Sequence, residues 1–513
     1  MLFRGDILGA TGAGSTRLIF GTVALSGAGG PDGSTTKSIV SFATGGGSAT
    51  SAGTDFVTHD AVNGLRLLTA GEYDGTIAGT TALRNVSVGA AGETVFGDAA
   101  INSLRVNGGG TVTIAAGRHV NVSSGAVLIV GNGAASTGGI SGPGFLDFGA
   151  AEGIIHLAQN TTATTATIGA RIAGTAGFSY GRNGDAVNFL DLGGDNTVIG
   201  TVRINQGTIR LQSSAALNDN YPVTVIGRAT SALQLLGNNV TVRDAQATAG
   251  TLTFQNNAAT AATLTTYLTA ARTLSTALAN GSTGALNLAV SGGTFALTHD
   301  ADSSATGSVA VRTGTIVLSG ANGTLNDFTT INIDGGTLRL TNTSAANNTN
   351  RLLNTAPIAL AGGTLDFDNN ASALSFSETV GAITVGAGTS FLSADKAATG
   401  QTAVLTAASL ARNIGGALVF NSQNNGTAIF DFGQTSQSRF VLTAAPAQDD
   451  GIIGGWAVAQ TSATAREFAK YVAAGTMARS PASVPRKVRC AFKATPSPRA
   501  ASIPATSSRI SPS

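Results

Sequence analysis

A short pentapeptide recurs along this chain: Gly-Thr, a large apolar residue, a variable residue, then a second large apolar one. It reads GTVAL from Gly21, GTVTI from Gly110, GTIRL from Gly207, GTLTF from Gly250, GTFAL from Gly293, GTIVL from Gly314, GTLRL from Gly336 and GTLDF from Gly363. Apolar and variable positions alternate within each, as in Ile209-Arg210-Leu211 and Leu338-Arg339-Leu340. Period two marks a β-strand with one buried face. From Gly207 onward the motifs fall 43, 43, 21, 22 and 27 residues apart, so the unit is 21–22 residues with occasional insertions. Three strands of about five residues and three short turns need roughly 20–27 residues, which is one turn of a three-sided solenoid. A hairpin meander would place turns every 8–12 residues or so, and propeller blades need about 40–50 residues. The expected fold is therefore an all-β, right-handed parallel β-helix of about 18–20 turns, rising about 4.8 Å per turn.

A repeat array also accommodates the length. At 513 residues the chain exceeds what one compact core usually supports, whereas a solenoid adds turns without enlarging its core. Glycine before each strand suits a corner with positive φ or a close approach between turns. The pairs Asn238-Asn239, Asn256-Asn257, Asn347-Asn348, Asn369-Asn370 and Asn424-Asn425 fit either stacked ladders at such corners or solvated loops.

Charged residues make up 11% of the chain and the formal net charge is +2. The balance is uneven. Residues 479–513 carry Arg479, Arg486, Lys487, Arg489, Lys493, Arg499 and Arg509 and no acidic residue. Residues 1–478 then hold 22 basic residues against 27 acidic ones, a net charge of −5 that argues against nucleic acid as a partner. The lone cysteine, Cys490, also lies in that tail, which excludes a structural disulfide and a thiolate zinc site in the body. No apolar run approaches the length a membrane-spanning helix needs, so no membrane-spanning segment is expected. The start MLFRGDILGATGAG lacks the apolar stretch of a secretory signal, which on this reading lies outside the chain.

The stretches GTIVLSGANGTLNDFTTINIDGGTLRL (314–340) and NFLDLGGDNTVIGTVRINQGTIRL (188–211) resemble the autotransporter-associated β-strand repeat, also called the passenger-associated transport repeat. GGTLDF (362–367) and GPGFLDF (142–148) are weaker echoes of the same unit. The resemblance implies a bacterial autotransporter passenger: an exported β-helix at the cell surface or secreted, carried across the outer membrane by a translocator barrel absent from this chain. It implies nothing about a ligand beyond surface glycans or other cells as candidate partners.

A second internal similarity links residues 49–77 with 454–478. Asp55-Phe56 and Glu467-Phe468 are each followed three positions on by a ring residue, His59 and Tyr471. Both segments resemble the boundaries between repeat blocks in giant proteins of this class. The expected layout is a boundary segment with first turns at 1–80, a β-helix block at 81–448, a second boundary segment at 449–478 and a disordered basic tail at 479–513. The tail reads either as an interaction segment or as out-of-frame sequence. Thr464, Glu467 and Gly475 form a helix-capping pattern over 462–474, in conflict with the extended chain that the resemblance implies; extended is the expectation adopted.

Enzymes built on β-helices display carboxylates and bases on one sheet. Asp366 and Asp368 stand two apart on a strand, hence on one outward face about 6.5–7 Å apart, a spacing that suits an inverting acid/base pair. A solvated polar strand explains them equally. Asp449-Asp450 read as a turn, and GGDNTVIG (193–200) is a single, untandemed echo of a calcium β-roll. His59, His119, His156 and His299 are scattered without metal-ligand spacing. No catalytic, cofactor-binding or metal-binding residue is assigned, and the chain is expected not to be an enzyme. The leading function is a structural or adhesive stalk whose repeats assist secretion. The alternative is a polysaccharide lyase or glycosidase on the same scaffold, and a groove lined by three or more acidic and basic groups on one parallel sheet would count against the stalk and for the enzyme. A third reading is a detached fragment without independent function.

Overall fold

The computed structural model describes residues 1–479 apart from 80–82, 132–135, 160–163, 184–187, 219–221, 270, 275, 299–304, 347, 371–373, 397–400, 422, 425–426, 429–437, 461–465 and 473–475. Residues 1–479 form one unit. The chain is nearly all β, and stacked parallel strands build a β-solenoid of about 12 turns. That is fewer than the 18–20 expected, for two reasons. The stretch from Met1 to Leu67 holds a separate sheet in place of solenoid turns. Several later turns are lengthened by inserted loops, which lie between the stacked partners Thr337 and Thr364, Thr364 and Phe391, and, longest of the three, Leu418 and Ala457.

Early turns are three-sided. The strands Ala126–Val130, Ser136–Ser141 and Phe145–Asp147 each take parallel partners from the turns before and after. Around Thr201–Leu211, Thr224–Gln234 and Asp244–Gln255 two sides fuse into continuous strands of 11, 11 and 12 residues, bent at register shifts. Buried side chains run through the whole array as one core.

The pentapeptides show why the stack holds. Thr294, Thr315, Thr337 and Thr364 pair successively, so four Gly-Thr strands lie in one register. Their inward positions form two columns, Phe295-Ile316-Leu338-Leu365-Leu392 and Leu297-Leu318-Leu340-Phe367-Ala394, all buried. Each such large side chain contributes about 1.5–3 kcal/mol when removed from water. Earlier motifs keep the facing but not the register: Ile209 stacks through Leu233 on Phe254, two residues beyond its motif equivalent Leu252. A slip of two leaves the buried face buried.

Glycine meets the two demands expected of it with separate residues. Gly335 and Gly362 take φ of +82° and +74°, while the adjoining Gly336 and Gly363 make the close approach. A Cβ on Gly336 would sit 2.7 Å from Val311, and one on Gly363 2.5 Å from Ile333. Gly314 does both, with φ +80° and the Gly293 carbonyl crowding the place its Cβ would take. Gly314→Ala is therefore expected to cost at least ~2 kcal/mol. Because turns couple chiefly to neighbours, amide exchange should quicken in Thr294–Leu297 and Thr315–Leu318 and stay unchanged in Ala126–Val130.

The N-terminal residues form a separate mixed sheet of β1 (Leu2–Arg4), β2 (Thr44–Gly46), β3 (Asp55–Asp60) and β4 (Gly64–Leu67). The sheet lies against the solenoid's outer surface. Phe56, Ile39 and Leu68 pack on Ala126, Leu128, Val130 and Ala158, which explains why the Ala126–Val130 strand is buried on both faces. At the other end, Arg466–Val472 is a strand, so the extended reading of that segment prevails over the helix-capping pattern in 466–472; 461–465, 473–475 and the tail from 480 lie outside the described residues.

Candidate functional site

Asp366 and Asp368 stand where expected, alternating with the inward Leu365 and Phe367. Their surroundings are structural as much as chemical. Asp366 accepts a bond from Arg339 Nε on the preceding turn at 2.7 Å, and Asp368 is held by Asn370 Nδ2 at 2.7 Å. Burial, then the charge of Asp366, pushes the Asp368 carboxyl up to about 6. The next turn adds Asp395 in register with Asp368 and Ser393 in register with Asp366. This is an acidic outer face near one end of the solenoid.

Other candidates resolve into structural roles. Asp449 pairs with Ile452 across a tight turn with Asp450 at φ +47°, as the sequence indicated. In GGDN, Asp195 meets Arg171 at 3.6 Å, and Asn196 is buried with Oδ1 accepting from Ile172 N and Nδ2 donating to Ala216 O. His59 accepts from Phe20 N at 3.3 Å. His119 stacks on Phe145 and lies 3.2 Å from Asp147. His299 falls outside the described residues, among which no group of three or more His, Cys, Asp and Glu could hold a metal ion. In three of the Asn pairs the first member turns inward to bind main chain of adjacent turns and the second faces solvent. Asn256 Nδ2, for instance, donates to Thr260, Gly284 and Ala285 carbonyls. They are corner anchors to main chain, which neither stacked side-chain ladders nor solvated loops describe.

A large concavity was not visible in the sequence. It has a volume of about 710 Å³ and lies between the N-terminal sheet and the solenoid. One wall is Met1, Leu2, Arg4 and Phe42; the other is the parallel sheet, with Glu152, His156, Arg182, Arg203 and Arg228. These five meet the mark set above for an enzymatic groove, so their chemistry has to decide. Glu152 pairs with Arg203 at 3.1 Å. His156 is buried, neither ring nitrogen makes a well-formed hydrogen bond, and burial holds the imidazole down at about 3. Guanidinium groups are permanent cations. Glycoside hydrolysis in its usual form uses two carboxylates, and of the cleft's lining residues Glu152 alone is acidic and is paired with Arg203. General acid/base catalysis requires a group that exchanges its proton near working pH, and His156 is far from that. The arrangement presents several guanidinium groups beside one paired carboxylate and a buried imidazole.

A second site missed at the sequence level is a buried ionic knot. Arg351 is fully buried. Its Nη1 donates to Gly323 O at 2.6 Å, its Nη2 to Gly320 O, Thr341 O and Asn342 Oδ1 at 2.8 Å each, and its Nε to Asn342 Oδ1 at 3.1 Å. Glu378 on the next turn accepts from the main-chain amides of Arg351 and Leu352. Burial pushes its carboxyl up to about 7. The only sequence signal is an arginine with no acidic neighbour inside an Asn-rich loop, SAANNTNRLLN.

No helix among the described residues is long and apolar enough to cross a membrane. Comparison with protein-family models, with curated proteins and with solved structures yields no match.

Proposed function

We propose that the chain is part of an exported, non-catalytic passenger acting as a structural or adhesive stalk at the bacterial surface. The supporting observation is the solenoid itself: one continuous core clad in polar strands, with a flanking cleft whose one carboxylate is paired with an arginine. Such an object holds shape over distance and offers long faces for many weak contacts with glycans or other cells. The repeat resemblance supports autotransporter-type export, to which the repeats would contribute by folding turn upon turn.

The test is incubation of the purified chain with acidic and neutral polysaccharides, followed by reducing ends, unsaturated products and viscosity. No turnover is expected, with retention on glycan-coated or cell surfaces that weakens as salt rises. Depolymerisation abolished by Arg203→Ala or Arg228→Ala would instead establish the carbohydrate-active enzyme.

A further inference from the structure

The N-terminal sheet repeats the end of the solenoid strand for strand. β1 pairs parallel with β2 (Leu2 with Thr44), β2 antiparallel with β3 (Thr44 with Phe56), and β3 forms a hairpin with β4 (His59 with Leu65, Val57 with Leu67). At the far end Gly416–Asn421 pairs parallel with Ala457–Gln460 (Val419 with Val458) and Ala457–Gln460 antiparallel with Arg466–Val472 (Val458 with Phe468). Arg466–Val472 then forms a hairpin with Thr476–Arg479 (Tyr471 with Met477, Ala469 with Arg479). Leu2 thus matches Val419, Phe3 matches Phe420, Phe56 matches Phe468 and His59 matches Tyr471, with one hairpin register in both copies. Ring contacts agree: Phe3 meets Phe20 with centroids 6.3 Å apart, as Phe420 meets Phe440 at 5.3 Å.

One strand distinguishes the copies. Gly416–Asn421 has the parallel strand Gly388–Lys396 on its other edge (Val419 with Phe391, Asn421 with Ser393), whereas the corresponding edge of β1 has no partner strand among the described residues. Beside that edge is an apolar pocket of about 390 Å³ lined by Phe3, Phe20, Val23, Val40, Phe42 and Leu65. Leu2 and Arg4, on the opposite face of β1, line the cationic cleft with Arg182, Arg203 and Arg228, and Arg4 Nε is shut off from water with no acceptor among the described residues.

The second copy shows what belongs there. Residues in line with Val419 and Asn421 on the two preceding strands are Phe391 and Ser393, then Thr364 and Asp366, with Asp395 and Asp368 two residues further along. A strand set against β1 in the same manner would carry its outer side chains over the cleft, bringing an aspartate-rich face to the arginines.

We propose that the free edge of β1 and the cationic cleft form one docking surface, and that its occupant is a solenoid turn of the Thr364–Lys396 kind joined in tandem to residue 1. Residues 1–78 are then the terminal module of one block, folded back on the flank of the next, and the complementary charges fix how consecutive blocks sit.

The experiment compares the full chain with an extended chain in which a second copy of residues 364–417 directly precedes Met1. In the extended chain the Leu2–Arg4 amides should exchange at least about tenfold more slowly, and binding of an apolar dye should fall. Charge reversal at Arg203 and Arg228 in the extended chain should undo much of that protection while Ala126–Val130 stays protected. An added segment that remains protease-sensitive, with β1 exchange unchanged, overturns the proposal. Protection indifferent to charge reversal overturns the role of the cleft. Should the extension impair folding, a synthetic 388–396 strand added to the unmodified chain must slow β1 exchange saturably; no effect at millimolar peptide overturns the proposal.

Discussion

Replacing Arg351 by Met should destabilise the middle of the solenoid by about 3–5 kcal/mol, the usual consequence of removing one partner from a buried ionic cluster. The methionine fills most of the volume, so cavity formation is a minor part of the effect. The loss comes from polar groups left behind: the carbonyls of Gly320, Gly323 and Thr341 and Oδ1 of Asn342 lose a charged donor at buried or part-buried positions. Glu378 keeps its bonds, because they come from the main-chain amides of residues 351 and 352, yet loses the nearest cation. Arg339→Met is the matched control. Arg339 is 45% exposed while its partner Asp366 is 8% exposed, so its removal leaves one nearly buried carboxylate and should cost about 1–2 kcal/mol, less than the Arg351 change. Urea unfolding and region-resolved amide exchange should separate the two variants, the first loosening Thr315–Asn342 and the second leaving it intact. Equal effects would show that the knot is solvated and carries no special weight.

Arg351 also marks the limit of what the sequence discloses. The solenoid was legible because its cause is local and repeated: Gly-Thr strands alternate, and alternation at so short and regular a spacing allows few other folds. The same reasoning located Asp366 and Asp368 on one outward face, since strand period alone determines that. The number of turns was overestimated because a period read between Gly207 and Gly363 says nothing about the N-terminal stretch, where Leu2–Leu67 hold a separate sheet. The cleft was invisible for a related reason. Its walls come from Met1–Arg4 and Phe42 on one side and Glu152–Arg228 on the other, and nothing in either stretch announces that they meet. The equivalence of residues 49–77 and 454–478, seen first as an echo of Asp55-Phe56 in Glu467-Phe468, turned out to run through the pairing register and beyond, to β1 and Val419-Phe420. Sequence similarity faded there because a three-residue strand carries too little signal, while its hydrogen-bonding position persists.

Two buried titratable groups should give the two ends of this molecule opposite responses to pH. Glu378 has its folded-state pKa raised from 4.5 to about 7 by burial. Between those values the folded chain holds the proton more tightly than the unfolded chain, so its stabilising contribution is full below about pH 4.5 and fades as pH rises through 7. The shift corresponds to at most ~3 kcal/mol. His156, beneath the N-terminal sheet, has its folded-state pKa lowered from 6.5 to about 3, again by burial first. Its contribution is full above 6.5 and fades as pH falls toward 3, because the unfolded chain then takes up the proton more readily. Turns couple chiefly to neighbours, so the effects should not average out. Amide exchange, corrected for its intrinsic pH dependence, should show the Thr337–Val380 turns loosening from pH 4.5 to 7. The contact of β2 and β3 with Ala126–Ala158 should tighten from pH 4.5 to about 6.5 and stay level above that. Glu378→Gln should flatten the first slope alone, and His156→Leu the second alone. A single shared slope would mean that the whole array unfolds as one unit, and would also count against a terminal module that docks on the solenoid as a separable piece.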